Sequence, residues 1–319
     1  MEDRRELKLL GGSGMPIMLS RMLRRGRSWL LLSLTAMACQ RAEEPAYSPS
    51  LSDVPTEIVE YVVGIHPLHN PQRLMEIYGP IVDHMNRYLP DARFKLEASR
   101  NYEEFDKKLY AGHFAFAMPN PYQSVEALQH GYRIFAKMAD DENFRGIILV
   151  RKDGGIRDLS DLKGKAVAYP APTALAATML PQYFLQTHGI DVNRDIENRY
   201  VGSQESVIIN VLLGHVAAGA TWPVPWASFS KQRPEQAAEL EVKWRTDTLP
   251  NNAWVVRADI PGGLAGRFAE ELLALQDSEE GRAILAGLPV SRFEAADAET
   301  YRPVRDFLVK FSSAVRPLD

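Results

Sequence analysis

Few residues in this chain have the type and spacing to do chemistry. His66 and His69 stand three positions apart, a spacing that suits a metal pair, yet they flank Pro67 at the end of an apolar segment with no third ligand close by. That favours a loop or a hydrogen-bonded cleft histidine, and His66 is kept as a binding candidate. Ser203 and Ser206 lack a triad context, and no Gly-rich phosphate loop, nucleophile elbow or zinc spacing occurs. The sequence therefore reads as a binder, not an enzyme, with no cofactor and no metal. The most distinctive pieces are aromatic or amide residues beside proline: Met118-Pro119-Asn120-Pro121-Tyr122, Tyr169-Pro170 and Thr221-Trp222-Pro223-Val224-Pro225-Trp226. Asn120 also suits a helix cap, and the two tryptophans serve equally well as ligand platform or as packing between helix and sheet.

The elements that must position these residues alternate. Strand patterns at 57–65, 92–96, 114–118, 132–138 and 146–151 are interleaved with helical spacing at 71–88, 102–110 and 122–130. A turn signal at Lys152-Asp153-Gly154-Gly155 follows, and the grammar repeats. Strands are expected at 166–169, 198–201, 216–221, 242–245 and 252–257, with helices at 173–188 and 204–213, a short one after Trp226, and three amphipathic ones to finish. Such alternation predicts an α/β protein of two lobes, each a mostly parallel sheet flanked by helices. The expected division is 57–150 plus 248–319 for the first lobe and 151–247 for the second. In open α/β sheets, ligands sit at the carboxyl ends of strands. Those ends carry His66, Asn120, Tyr169, and Thr221 with Trp222, which makes them candidate cleft walls, with Tyr122 just beyond.

The 319 residues hold a single cysteine, Cys39, which excludes disulfides within the chain. Arg21, Arg24, Arg25 and Arg27 precede an apolar run from Trp29 to Ala38, about half of the ~20 residues needed to span a bilayer. This is the order of a secretory signal, so 1–38 reads as a signal peptide, with Met15, Met18 or Met22 as alternative starts. Ala36-Met37-Ala38-Cys39 resembles a bacterial lipobox, which implies lipidation of Cys39. Gln40 after it implies the outer membrane of the periplasm. Residues 39–56 are polar and Pro/Ser-containing and read as a flexible tether. Without 1–38 the chain loses seven Lys/Arg and three Asp/Glu, so net −4 becomes −8. That charge argues against nucleic acid as a partner and leaves anion binding to local donors.

Several segments together resemble periplasmic substrate-binding proteins of ABC transporters, in the phosphonate/phosphite/phosphate group. They are His66 to Pro71 with Tyr78-Gly79-Pro80, Gly112 to Tyr122, Arg151 to Lys165, Gly202 to Val207, and Gly214 to Ala220. Arg151-Lys152-Asp153-Gly154-Gly155-Ile156-Arg157-Asp158-Leu159-Ser160-Asp161-Leu162-Lys163-Gly164-Lys165 is the most specific of them. The resemblance implies a type 2 periplasmic-binding-protein fold, two lobes on two hinge strands that close on a small ligand, working as a monomer. It implies an ABC permease as partner; a sensor kinase reading the closed form is the alternative, and an enzyme on the same fold a third. The family's oxyanion loop keeps its frame here as Pro172, Met179 and Pro181, but its three hydroxyl positions are Ala174, Leu175 and Ala176. Thr173 retains one hydroxyl. Gln204, after Ser203, stands where the family has a ligand-contacting His, and Ala217 where it has Asp. The ligand is left open between a tetrahedral oxyanion and a less charged organic solute, with Trp222, Trp226, Tyr169 and Tyr122 expected as an aromatic wall.

Overall fold

The computed structural model describes residues 58–318. The expected signal, Cys39 and the whole of the expected tether lie outside the described residues. Two sheets are built. The first contains β1 (Glu60–Ile65), β2 (Arg93–Ala98), β3 (Phe116–Met118), β4 (Tyr132–Met138), β10 (Ala253–Arg257) and β11 (Phe293–Ala295), in the spatial order β11-β4-β10-β3-β1-β2. The second contains β5 (Arg145–Arg151), β6 (Ala166–Tyr169), β7 (Glu197–Tyr200), β8 (Ala218–Thr221) and β9 (Leu240–Thr248), in the order β7-β6-β8-β5-β9.

Each sheet has a parallel half and an antiparallel half. β2, β1 and β3 pair in parallel, as do β7, β6 and β8, each with a helix carrying the chain back between strands. β10 runs against β3 and β4, and β5 runs against β8 and β9. The expectation of mostly parallel sheets is therefore corrected to mixed ones. Strands that enter a sheet from the other lobe arrive from the opposite end, and local periodicity carries no sign of that. β5 also moves one boundary. It was expected to close the first lobe at residue 150, but its register with Thr221 to Ala218 and with β9 places it in the second sheet. The chain crosses at 139–144 and returns at 249–252. β11 was not expected, being a three-residue edge strand.

The helices follow from their caps and apolar stripes. Asn70 accepts from the Arg73 N–H to open α1 (Pro71–Tyr88), which buries Leu74, Ile77, Tyr78, Ile81, Val82 and Met85. Asn101 caps α2 (Tyr102–Tyr110), Asn120 caps α3 (Pro121–Ala127) with a reciprocal bond from Gln123, and Ser203 caps α5 (Gln204–Leu212). Each such cap contributes about 1 kcal/mol. One π turn (Leu175–Met179) runs directly into α4 (Leu180–Thr187). α6 (Pro223–Gln232) and α7 (Pro234–Ala238) follow β8. α8 (Gly262–Ala274), α9 (Glu279–Ala286) and α10 (Arg302–Ala314) finish the chain. No helix among the described residues is long and apolar enough to cross a membrane.

The π turn owes its position to one glycine. A Cβ at Gly146 of β5 would lie 2.6 Å from the Pro181 ring and 2.7 Å from Ala176 O. Only a residue without a side chain lets the turn lie this close to the strand. Gly146→Ala is expected to lower stability by about 1–3 kcal/mol, as overpacking does, read as a lower urea midpoint at unchanged slope.

Candidate functional site

The carboxyl ends of β1 and β3 are locked together by His66. Its backbone N–H donates to Met118 O at 3.1 Å and its Nδ1 donates to the same oxygen at 2.9 Å. The ring packs edge-on to Tyr102 and Phe105 of α2. Burial holds its pKa down at about 4, so the imidazole is neutral at ordinary pH. From the second sheet come Gln204 and Trp222. Gln204 accepts from the Thr221 hydroxyl at 2.7 Å and donates to the Tyr102 hydroxyl at 3.4 Å. Trp222 at the end of β8 lies 5.7 Å from Phe144, which sits on the first crossing segment. The π turn supplies Ala174 to Ala177, and Asn252 of the second crossing segment completes the floor. His66, Tyr102, Asn120, Phe144, Gln204, Trp222 and Asn252 thus converge on one small space, about 10 Å³, room for about one water.

The two lobes touch across it. Asn120 Nδ2 donates to Thr173 O at 2.9 Å, and the Thr173 hydroxyl donates to Asp106 Oδ2 at 3.2 Å. Asp106 Oδ1 accepts from Gln123 Nε2. Burial raises this carboxyl to about 6, against the bonds from Gln123 and Thr173, which lower it. On the far side, Arg316 donates to Pro172 O at 2.8 Å and Asn193 to Val315 O at 2.7 Å. The chain end beyond α10 thereby holds the second lobe. Outward from Gln204 the floor opens into a groove of about 120 Å³, where Leu68, His69 and Arg73 face Ser203, Glu205 and Phe229.

Of the residues picked from sequence, His66, Asn120, Gln204 and Trp222 meet at the floor. Ser203 caps α5 and lines the groove. Thr221 is spent on Gln204. Thr173 points its hydroxyl across the lobes at Asp106 instead of into the floor. Tyr169 is wholly buried, 6.0 Å from Tyr200, and belongs to the core. Tyr122 is buried in the first turn of α3 and is not among the residues lining the floor. Trp226 stacks on Phe229 against the second core cluster. The expected aromatic wall of Trp222, Trp226, Tyr169 and Tyr122 is therefore corrected to Trp222, Tyr102, Phe144 and His66. Tyr102 follows the end of β2 and obeys the strand-end rule already applied to four other strands. Phe144 and Asn252 lie on crossing segments and carry no local signal. Among the described residues, no group of three or more His, Cys, Asp or Glu is placed to hold a metal.

Solved structures share this architecture. A binding-protein component of an ABC phosphonate transporter from Pseudomonas aeruginosa superimposes with a TM-score of 0.74 at 18% identity, over 81% of this chain and 88% of that one. PhnD1 from Prochlorococcus marinus, in complex with methylphosphonate, gives 0.72 at 20% identity over 79% and 98%. A Xanthomonas citri protein bound to ATP gives 0.65 at 17% identity over 80% and 98%. At such identities these likenesses show the fold. The family follows from the sequence match: residues 63–301 match the family described as ABC transporter, phosphonate, periplasmic substrate-binding protein. The chain belongs to the family of periplasmic substrate-binding proteins of phosphonate ABC transporters.

Proposed function

We propose that this chain captures a small oxyanion of the phosphonate class between its lobes at the floor formed by His66, Tyr102, Asn120, Gln204, Trp222 and the π turn. It presents the closed form to an ABC permease. One observation carries this reading: side chains of both sheets and the start of a 13-residue helical run, 175–187, converge on a single point. The N–H groups at that start are not taken by the turn, whose first bonds run from Thr178 and Met179 to Ala174 O, and free N–H groups with the helix dipole favour an anion. The loss of hydroxyls at Ala174, Leu175 and Ala176 leaves these backbone donors as the anchor. The space at the floor is smaller than a solute of several heavy atoms, so entry requires the lobes to part about 139–144 and 249–252 and to close again.

The chain works as a one-to-one binder without turnover, tethered to the periplasmic face of the outer membrane by lipid on Cys39. Cys39→Ala is expected to move the protein from the membrane to the soluble periplasmic fraction. Retention in the membrane fraction contradicts the anchor.

For the floor, Trp222→Ala and Tyr102→Ala are each expected to weaken methylphosphonate binding about tenfold, or about 1.4 kcal/mol, by calorimetric titration. Unchanged affinity in both places the ligand elsewhere, for instance in the groove at Arg73 and Phe229.

Asp106 makes closure pH-dependent. Its pKa of about 6 belongs to the closed form, while a solvated carboxyl in the open form sits near 4. The closed form therefore holds the proton more tightly, and closure is favoured by acid and loses that contribution as pH rises through 6. Tyr102 and Tyr110, the tyrosines on its own helix, are raised by burial and stay neutral throughout. X-ray scattering of the free protein is expected to show a smaller radius of gyration at pH 5 than at pH 7.5. Asp106→Asn is expected to abolish that difference.

A further inference from the structure

This inference rests on the reading of the cleft floor as the ligand site and concerns the protonation state of what binds there. Two acceptor atoms on residues that line the floor receive no hydrogen bond among the described residues, and of these Asn252 Oδ1 is the fully buried one. The first is His66 Nε2. Because a carbonyl oxygen can only accept, the bond to Met118 O puts the proton on Nδ1 and leaves the lone pair on Nε2. The second is Asn252 Oδ1. Asn252 is 1% exposed, its Nδ2 donates to Met138 Sδ at 3.5 Å, and its Oδ1 has no partner among the described residues. Exchanging the amide nitrogen and oxygen would set oxygen against sulfur, acceptor against acceptor, so the assignment as it stands is the favoured one. A buried acceptor left unpaired is destabilising, and a ligand that donates to it removes that cost.

The same floor is lined by Leu175, Ala176 and Ala177, whose N–H groups the turn leaves free, and by Tyr102. No Lys, Arg, Asp or Glu lines the floor. A fully deprotonated oxyanion satisfies the N–H groups but sets its remaining lone pairs against Asn252 Oδ1 and His66 Nε2, with no cation to offset a second charge. An oxyanion that keeps one acid proton satisfies the N–H groups and supplies one O–H, which pairs one of the two acceptors.

We propose that the cleft selects a tetrahedral oxyanion in its singly protonated, monoanionic form, its one acid O–H donating to Asn252 Oδ1. Asn252 is then a specificity residue, and discrimination falls against anions of the same shape and charge that carry no proton.

The test compares methylphosphonate with methanesulfonate by titration of the purified protein at pH 6 and pH 8.5. Both anions are tetrahedral. The sulfonate is singly charged and unprotonated at both values, whereas the phosphonate gives up its second proton near neutral pH, as a phosphate monoester does at about 6. Four protein groups titrate at or beside the floor. His66 and His69 are held at about 4 by burial, and Tyr102 is raised by burial, so all three stay neutral. Asp106, at about 6, acts on both ligands alike and cancels in their ratio. Methylphosphonate is expected to bind at pH 6 about tenfold or more tightly than at pH 8.5 relative to methanesulfonate, and to be preferred over it at pH 6. Asn252→Leu is expected to keep the fold, since it removes an unpaired buried acceptor, and to erase most of that preference. Equal binding of the two anions at pH 6, or phosphonate binding that tightens toward pH 8.5, overturns the protonation proposal while leaving the floor as an oxyanion site. Binding of neither anion overturns both. A preference unchanged in Asn252→Leu removes Asn252 from the role.

Discussion

Asn251 is the knot between the two crossings of the chain. Its side-chain amide donates to Ala139 O at 2.8 Å, its backbone N–H donates to Asp141 Oδ1 at 2.8 Å, and its carbonyl accepts from the Tyr301 hydroxyl. Asp141 also receives buried Lys137, which reaches Glu294 of β11 at 3.1 Å. Asp140 beside it has a φ of 62°, the left-handed region, and its carboxylate takes the N–H and hydroxyl of Ser291, each at 2.7 Å. A non-glycine residue holds that conformation when its side chain is fixed by such bonds. The outgoing and returning strands are thus fastened to each other and to the first lobe. What lies outside this knot is the short reach from Asn143 to β5 and from Thr248 to Asn251, joined by the Leu249 N–H donating to Phe144 O at 3.1 Å. Phe144 and Asn252, the two floor residues that come from the crossings, sit at the edges of this knot. With the floor as the proposed ligand site, hinge and site share the same few residues, and occupancy of the floor would act directly on the segment that closes it.

How much of this was legible in the sequence depends on the range of the interaction. α1, α2, β4 and β6 fall where periodicity, caps and proline put them, because the forces that set them act within a few residues: Asn70 before Pro71 opens a helix whatever surrounds it. The strand-end rule likewise gives His66, Asn120 and Trp222, since a parallel βα unit points its carboxyl end at the cleft wherever the unit is placed. Strand direction in the other half of each sheet was not legible. β5 and β10 are apolar runs like any other, and only the crossing between lobes makes them antiparallel. Tyr169, at the end of β6, and Trp226, in the first turns of α6 just after β8, misled for a related reason. An aromatic at a strand end can turn into the core or into the cleft, and the choice depends on the helix packed beneath it.

The departure at Ala174, Leu175 and Ala176 has a structural counterpart. All three side chains are buried, and the stretch that follows opens with a π turn, not an α turn. In a π turn the bonds span five residues, so the start of the run is wider and its leading N–H groups are less constrained by the helix. Thr178 then ties itself to Ala171 O at 2.8 Å, inside the turn. In the proposed site, specificity that hydroxyl groups would supply directly is moved onto backbone donors on one side and onto His66 and Asn252 on the other.

That shift changes what kind of discrimination the site can exercise. Hydroxyl groups rotate and serve as donor or acceptor as the ligand demands, so a site lined with them tolerates either protonation state. Backbone N–H groups only donate, and His66 Nε2 and Asn252 Oδ1 as oriented here only accept. A site whose donors and acceptors are fixed in place reads where the ligand's protons are, because each mismatch leaves a buried group unpaired. Such a site gains selectivity from rigidity, and the bonds that supply the rigidity are Met118 O on His66 and the fastening of Asn251 beside Asn252. The same knot that limits the hinge therefore also fixes the polarity of the floor.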